Sequence, residues 1–201
     1  MAAAHKFKLW FLAGSTFLLL LSACSTTQKT VELSEKEQKD YLQKGQMLAQ
    51  QSFAALSARL TSAIGTGGVP HAIQYCHTAA LPLVDSLSKV YKASIRRTSL
   101  KVRNPQDTPL DWEKAILQSY QQELAAGKRP TPLVKVLDKK RIAFATPIYI
   151  AQPCLKCHGK LGETLNEQHY ATVKKLYPAD QAIGYVDGEW RGMWSITFFR
   201  K

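Results

Sequence analysis

Apolar residues recur every three or four positions through the first half of the chain. Leu42, Met47, Leu48, Phe53, Leu56 and Leu60 fall on one face at helical spacing. Ser34 precedes this run with Glu37 three residues later, the pairing of a capping box. A helix is therefore expected over residues 34–64, ended by Gly65-Thr66-Gly67-Gly68. Its length suggests an arm that projects from the body. Pro70 suits the first turn of a second helix. There Val69, Ile73, Cys76, Ala80 and Leu83 share a face, which turns Cys76 inward with His77 beside it. Pro82 should end or kink this helix.

The period then shortens. Residues 94–103 read as extended and close in the turn Asn104-Pro105. Thr108 is the expected cap of a third helix, whose buried face is Trp112, Ile116, Leu117, Tyr120 and Leu124 and whose stop is Gly127. Residues 133–137 alternate and residues 141–150 are apolar and β-branched, with Asp138-Lys139-Lys140 as a hairpin turn between them. A helix over 163–176 is broken by Pro178. A loop from Gly184, a tight turn at Asp187-Gly188 and a strand over 190–199 close the chain. Trp190, Trp194, Phe198 and Phe199 on that strand are expected in the core or as a pocket wall. Helices followed by an antiparallel sheet make an α+β domain.

The first residues read as an address. Lys6 and Lys8 precede an apolar stretch over 9–21, too short to span a bilayer comfortably but suited to the core of a secretory signal. It ends in Leu21-Ser22-Ala23-Cys24, which resembles a bacterial lipobox. Cleavage there would leave Cys24 to carry acyl chains, each buried methylene adding about 0.8 kcal/mol of membrane affinity. The expected organisation is a signal peptide over 1–23, a lipidated tether over 24–33 and one domain over 34–201. The protein would then face the periplasm as a lipoprotein. Ser25 after the cysteine, by resemblance to enterobacterial lipoproteins, points to the outer membrane. A plain secretory signal or an uncleaved anchor is the competing reading.

The chemistry is concentrated in Pro153-Cys154-Leu155-Lys156-Cys157-His158-Gly159. Cys-x-x-Cys-His is the haem c attachment pattern. Two intervening residues set the sulfurs about one helical turn apart, near the separation of the vinyl groups on one porphyrin. The next residue swings its imidazole under the iron. Cys154 and Cys157 would form thioethers and His158 would hold the metal of one covalent haem. Zinc, held by Cys154, Cys157, His158 and Cys76, is a rival, as is a dithiol or disulfide. With Cys24, Cys154 and Cys157 allocated, Cys76 is an odd thiol in an oxidising compartment. The sixth iron position has several candidates: Cys76, His71, His77, His169, Met47 and Met193, or no protein ligand. A small buried hydrophobe is the plain reading of Cys76.

The formal charge of +12 falls to about +10 without Lys6 and Lys8. The basic residues are scattered, with no aromatic-basic stripe of the kind that binds nucleic acid. They fit a solvated surface, or contacts with haem propionates, anionic lipid or an acidic redox partner. Arg97, Arg103 and Arg191 are the candidates for propionates, since guanidinium matches carboxylate geometry.

Several segments in order resemble a family of exported c-type haem domains of unassigned function with a PAS-like fold. These are Ile73-Gln74-Tyr75-Cys76, the run from Ile95 to Pro105 with Pro109 and Trp112-Glu113, the Cys154 to Gly159 motif, and Gly184-Tyr185 with Gly188-Glu189-Trp190-Arg191-Gly192. The resemblance implies a PAS-like antiparallel sheet behind N-terminal helices and one haem c. It also implies iron held by a histidine and a cysteine, here His158 and Cys76, with His77 as the alternative. Thiolate ligation favours ferric iron and weakens on reduction or protonation, which would couple redox state to the Cys76 helix. Three functional classes follow: a redox or small-ligand sensor, an electron carrier, and a haem enzyme such as a peroxidase. The last is disfavoured if Cys76 fills the sixth position. A sensor needs a separate redox or signalling partner, because the chain contains no output domain of its own.

Overall fold

The computed structural model describes residues 32–200. The leader expected over 1–23, Cys24 and most of the tether lie outside them. The elements in chain order are α1 (Glu35–Tyr91), β1 (Ala93–Thr98), α2 (Asp111–Ala125), β2 (Leu133–Val136), β3 (Arg141–Tyr149), α3 (Leu155–His158), α4 (Glu167–Leu176) and β4 (Trp190–Phe199). Among the described residues no helix is long and apolar enough to cross a membrane.

Helix α1 begins as the sequence implies. Ser34 Oγ accepts from the Glu37 N–H, and the Glu37 carboxylate accepts from the Ser34 N–H at 2.9 Å. Its two limbs meet at Gly67 and Gly68, where φ of +73° at Gly68 breaks the helical path. The first limb packs rather than projects: Leu48, Ala49 and Ser52 are buried. Gly45 lets the helix lie on the Phe144 ring, whose space a Cβ would invade. Pro82 does not stop the second limb, which runs on to Tyr91. Burial of Val84 and packing of Leu87 on the sheet outweigh the lost hydrogen bond, a cost of about 3 kcal/mol.

The four strands form one antiparallel sheet in the order β1-β4-β3-β2. The last strand of the chain therefore occupies its interior, with Ile95 opposite Ile196 and Phe144 opposite Ile196 on the other side. Alternation sorts β4 onto two layers. Trp194 and Ile196 face α1 with Leu48, Val84, Ile95 and Phe144. Met193 faces α2 with Ile116, Leu117 and Tyr120. Trp190 belongs to the α2 layer too, whereas Phe199 is 59% exposed and leaves the expected core.

Two helix starts differ from the sequence reading. Helix α2 is capped at Leu110, not Thr108, because the Glu113 carboxylate reaches back to the Leu110 N–H at 2.8 Å. Buried Glu113 also accepts from Ser195 Oγ at 2.6 Å and Arg96 Nε at 3.2 Å, tying α2 to β4 and β1. Helix α4 starts at Glu167, with Asn166 as cap. The preceding residues instead wind around the Lys160 carbonyl, which accepts from Glu163, Thr164 and Leu165.

Candidate functional site

Strand β3 delivers the chain to Ile150, and a 3-10 turn at Gln152–Cys154 runs straight into α3. Cys154 and Cys157 thus stand on one continuous turn, with His158 at its end. Leu155 is buried with Ile150 and Tyr185, which anchors the turn to the body. Cys157 packs instead toward Val69 and Ile73 of the second α1 limb and Val173 and Tyr177 of the α4 region.

His158 is held by its ring. Nδ1 lies 2.7 Å from the Ala182 carbonyl oxygen. A carbonyl only accepts, so Nδ1 carries the proton and Nε2 is left with its lone pair. Burial first, then Arg103 and Arg191, hold the imidazole well below its ordinary pKa, so it is neutral near neutral pH. The Tyr185 ring meets it edge-on at 6.4 Å. The Tyr185 N–H donates to the His158 carbonyl at 3.0 Å.

Arg103 and Asp180 build the loop around that ring. Arg103 Nε and Nη2 reach Asp180 Oδ1 and Oδ2 at 3.0 and 3.2 Å. Nη2 also donates to the Cys157 carbonyl at 2.7 Å and the Ala182 carbonyl at 3.2 Å. Asp180 Oδ1 accepts from the Ala182 N–H at 2.9 Å. One ion pair therefore fixes both the carbonyl that orients His158 and the backbone of the cysteine before it. Arg103, expected as a candidate for propionate contact, has Nε and Nη2 engaged in this clamp.

The other two arginines are arranged differently. Arg97 lies over the Trp194 ring at 5.8 Å, and Arg191 over the Tyr185 ring at 5.4 Å. Among the described residues neither has a carboxylate within 4 Å. Burial pulls the Arg191 guanidinium below its ordinary pKa.

Cys76 is half-buried on the second α1 limb, within electrostatic reach of Cys157 and of Arg97 and Arg103. Burial raises its thiol pKa, and the two arginines oppose that. Neighbouring His77 is exposed and turns edge-on to Tyr177 at 5.0 Å. Of the remaining ligand candidates, Met47 is exposed, His71 is exposed and Met193 is buried in the α2 layer, while His169 is partly exposed on α4. The cysteines at 76, 154 and 157 are free thiols. Among the described residues no three His, Cys, Asp or Glu side chains converge as metal ligands, so the four donors of the zinc alternative do not meet at one point.

Asp180, the Ala182 carbonyl and Tyr185 as a neighbour of His158 are absent from the sequence reading. Only Tyr185 carried a signal, as part of the Gly184-Tyr185 segment. The donor set fits a haem joined through Cys154 and Cys157. It offers two thiols on one turn, an oriented neutral imidazole, a further thiol at Cys76 within electrostatic reach of Cys157, and two cations free of carboxylate partners.

A family model described as Tll0287-like (Tll0287) matches residues 26–198. No curated protein matches the chain. Among solved structures, the crystal structure of the cyanobacterial heme-protein Tll0287 is similar at a TM-score of 0.57. That match covers 81% of this chain and 96% of that one at 19% identity. The likeness is one of fold: an α+β domain with helices before an antiparallel sheet.

Proposed function

This chain belongs to the Tll0287-like family, and from that premise we propose that it is a haem-binding protein. It holds one haem covalently through Cys154 and Cys157, with His158 on the iron. It acts in redox or small-ligand sensing or in electron transfer. The observation that carries the reading is the Nδ1 contact of His158 with Ala182 at 2.7 Å, which leaves Nε2 of a buried neutral ring as a donor beside the paired cysteines. The shared fold with the heme-protein Tll0287 supports it. A bound haem supplies a one-electron couple at its iron.

The chain's own residues hold and bias that group. The Arg103–Asp180 pair keeps the Ala182 carbonyl aimed at Nδ1. Cys76 is the second ligand, with Arg97 and Arg103 opposing the rise that burial imposes on its thiol pKa, and His77 is the alternative. Arg97 and Arg191 are suited to the propionates. Sensing is favoured over simple electron carriage by one feature. Cys76 rides on a helical limb set off by the Gly67–Gly68 break, so a change at the ligand can move that limb. Export and anchoring through lipid on Cys24 are part of the proposal, and the mass of the mature N-terminus tests them.

The main experiment is spectroscopy of protein purified from a host able to mature cytochromes c. The pigment should survive acid acetone, and the ferric form should show low-spin thiolate features that Cys76→Ala removes. Pigment lost to acid acetone would sink covalent attachment. An unchanged spectrum in Cys76→Ala would move the second ligand to His77. Hydrogen exchange over residues 69–91 separates the two roles: a sensor changes between ferric and ferrous forms, a carrier does not.

A further inference from the structure

The end of the sheet remote from the cysteine turn has its own chemistry. Strand β3 runs roughly 27 Å from Arg141 to Tyr149, so the Arg141–Phe199 pair lies at the opposite end from the turn after Ile150. Phe199 is 59% exposed there and Val90 71%. Phe199 borders two surface depressions. One, of about 470 Å³, is lined by Lys139, Lys140 and Arg141, and the other, of about 620 Å³, by Lys89, Lys92 and Arg96.

The charges at this end are unevenly spent. Asp138 is taken by Arg141 at 2.7 Å and Glu37 by Arg200 at 2.7 Å. Arg96 is taken by Glu113. Among the described residues Lys89, Lys92, Lys139 and Lys140 have no carboxylate within 4 Å, and all four are exposed. Asp85 is the remaining acid on the second depression. An exposed aromatic ringed by free lysines matches a bilayer interface, where the ring enters the headgroup layer and each ammonium meets anionic headgroups.

The N-terminal limb of α1 starts at this same end. The Glu37–Arg200 pair and a tilted contact of the Tyr41 and Phe198 rings at 5.3 Å hold it there. Ser34 lies ten positions after Cys24, a reach of at most roughly 35 Å. An acyl chain on Cys24 would therefore keep this end near the membrane.

We propose that the surface formed by Phe199, Val90, Lys89, Lys92, Lys139 and Lys140 docks on an anionic phospholipid bilayer. Docked, it turns the Cys154–His158 end away from the membrane, toward a partner in the aqueous phase. The proposal stands apart from the haem reading, because none of these residues belongs to that site.

The test uses the intact protein mixed with phosphatidylcholine vesicles, with or without phosphatidylglycerol, and reads amide exchange over residues 136–141 and 197–200. Exchange there should slow on the phosphatidylglycerol vesicles alone and recover in high salt. The double substitution Lys139→Gln/Lys140→Gln should weaken vesicle binding about 30-fold, and Phe199→Ser should weaken it further. Both variants should keep the wild-type visible spectrum, which reports folding. Equal exchange on the two vesicle types overturns the proposal, as does protection by an acidic protein without any by phosphatidylglycerol. Whether Cys24 carries lipid is read separately from the intact mass.

Discussion

Replacing Asp180 by Asn removes one charge and almost no volume from the clamp beneath His158. The Asp180 side chain is fully buried and that of Arg103 only 15% exposed, so solvent screens the pair weakly. Asn keeps one oxygen to accept the Ala182 N–H. It cannot balance the guanidinium, and its amide group meets Arg103 Nη2 as a donor facing a donor. Removing one partner of a buried pair costs about 3–5 kcal/mol, a large share of the 5–15 kcal/mol typical of a domain. With a urea slope of about 2 kcal/mol per molar, the unfolding midpoint should fall by about 2 M. The same change loosens Arg103, whose Nη2 holds the Ala182 carbonyl, so the ferric absorption bands should broaden as the acceptor at Nδ1 becomes less fixed. Urea titration followed by circular dichroism measures the first effect, and low-temperature absorption the second. The cycle with Arg103→Met separates the pair from its surroundings, with a coupling of up to about 3 kcal/mol expected. A midpoint shift of less than a quarter of that expected, with unchanged bands, would refute the clamp.

Other consequences are simpler to check. Glu113→Gln should lower stability by about 3 kcal/mol by unbalancing Arg96, yet leave the visible spectrum alone because Glu113 lies on the α2 layer. Gly45→Ala should destabilise by about 1–3 kcal/mol, since its methyl enters the Phe144 ring. Gly65→Ala, on the same helix with open space around it, should gain up to about 1 kcal/mol. In a haem-free Cys154→Ala/Cys157→Ala variant, the folded state refuses a proton at His158 that the unfolded chain accepts near the ordinary value of 6.5. The His158 contribution should thus be complete above that pH and decline below it. Urea titrations against the same variant carrying His158→Gln isolate it, and a contribution that grows on acidification contradicts the assignment.

How much of this was legible followed from sequence distance. The cysteine turn, the capping box at Ser34 and Glu37, and the hairpin through Asp138 are local devices, and each lies where its spacing implied. The Arg103–Asp180 clamp joins residues 77 positions apart, and neither flank advertises the other. Glu113 stood in the sequence only as part of a family segment, because nothing local shows that Ser195, 82 residues later, would donate to it. Pro82 misled for the opposite reason. Its local cost is real, but the contacts of Val84 and Leu87 with the sheet are long-range and larger. Cys76 was legible as inward-facing from its helical face, but its reach to Cys157 and two arginines needed the fold.

The charges around His158 give the strongest reason to expect an anionic group there. Arg97, Arg103 and Arg191 all act on the ring, and each pushes its pKa down. Asp180 balances Arg103. Asp107 lies within reach of Arg97 and Arg191, and burial raises its pKa against their pull, while neither arginine has a carboxylate within 4 Å. Arg191 is left desolvated against an aromatic face. A largely desolvated guanidinium with no carboxylate within 4 Å is costly enough that folds rarely keep one without a use. Two propionates and a thiolate at Cys76 would bring three negative charges to this cluster of cations. Replacing Arg191 by Leu should therefore stabilise the haem-free domain while weakening its hold on the porphyrin, a pairing of opposite signs that a purely structural arginine would not produce.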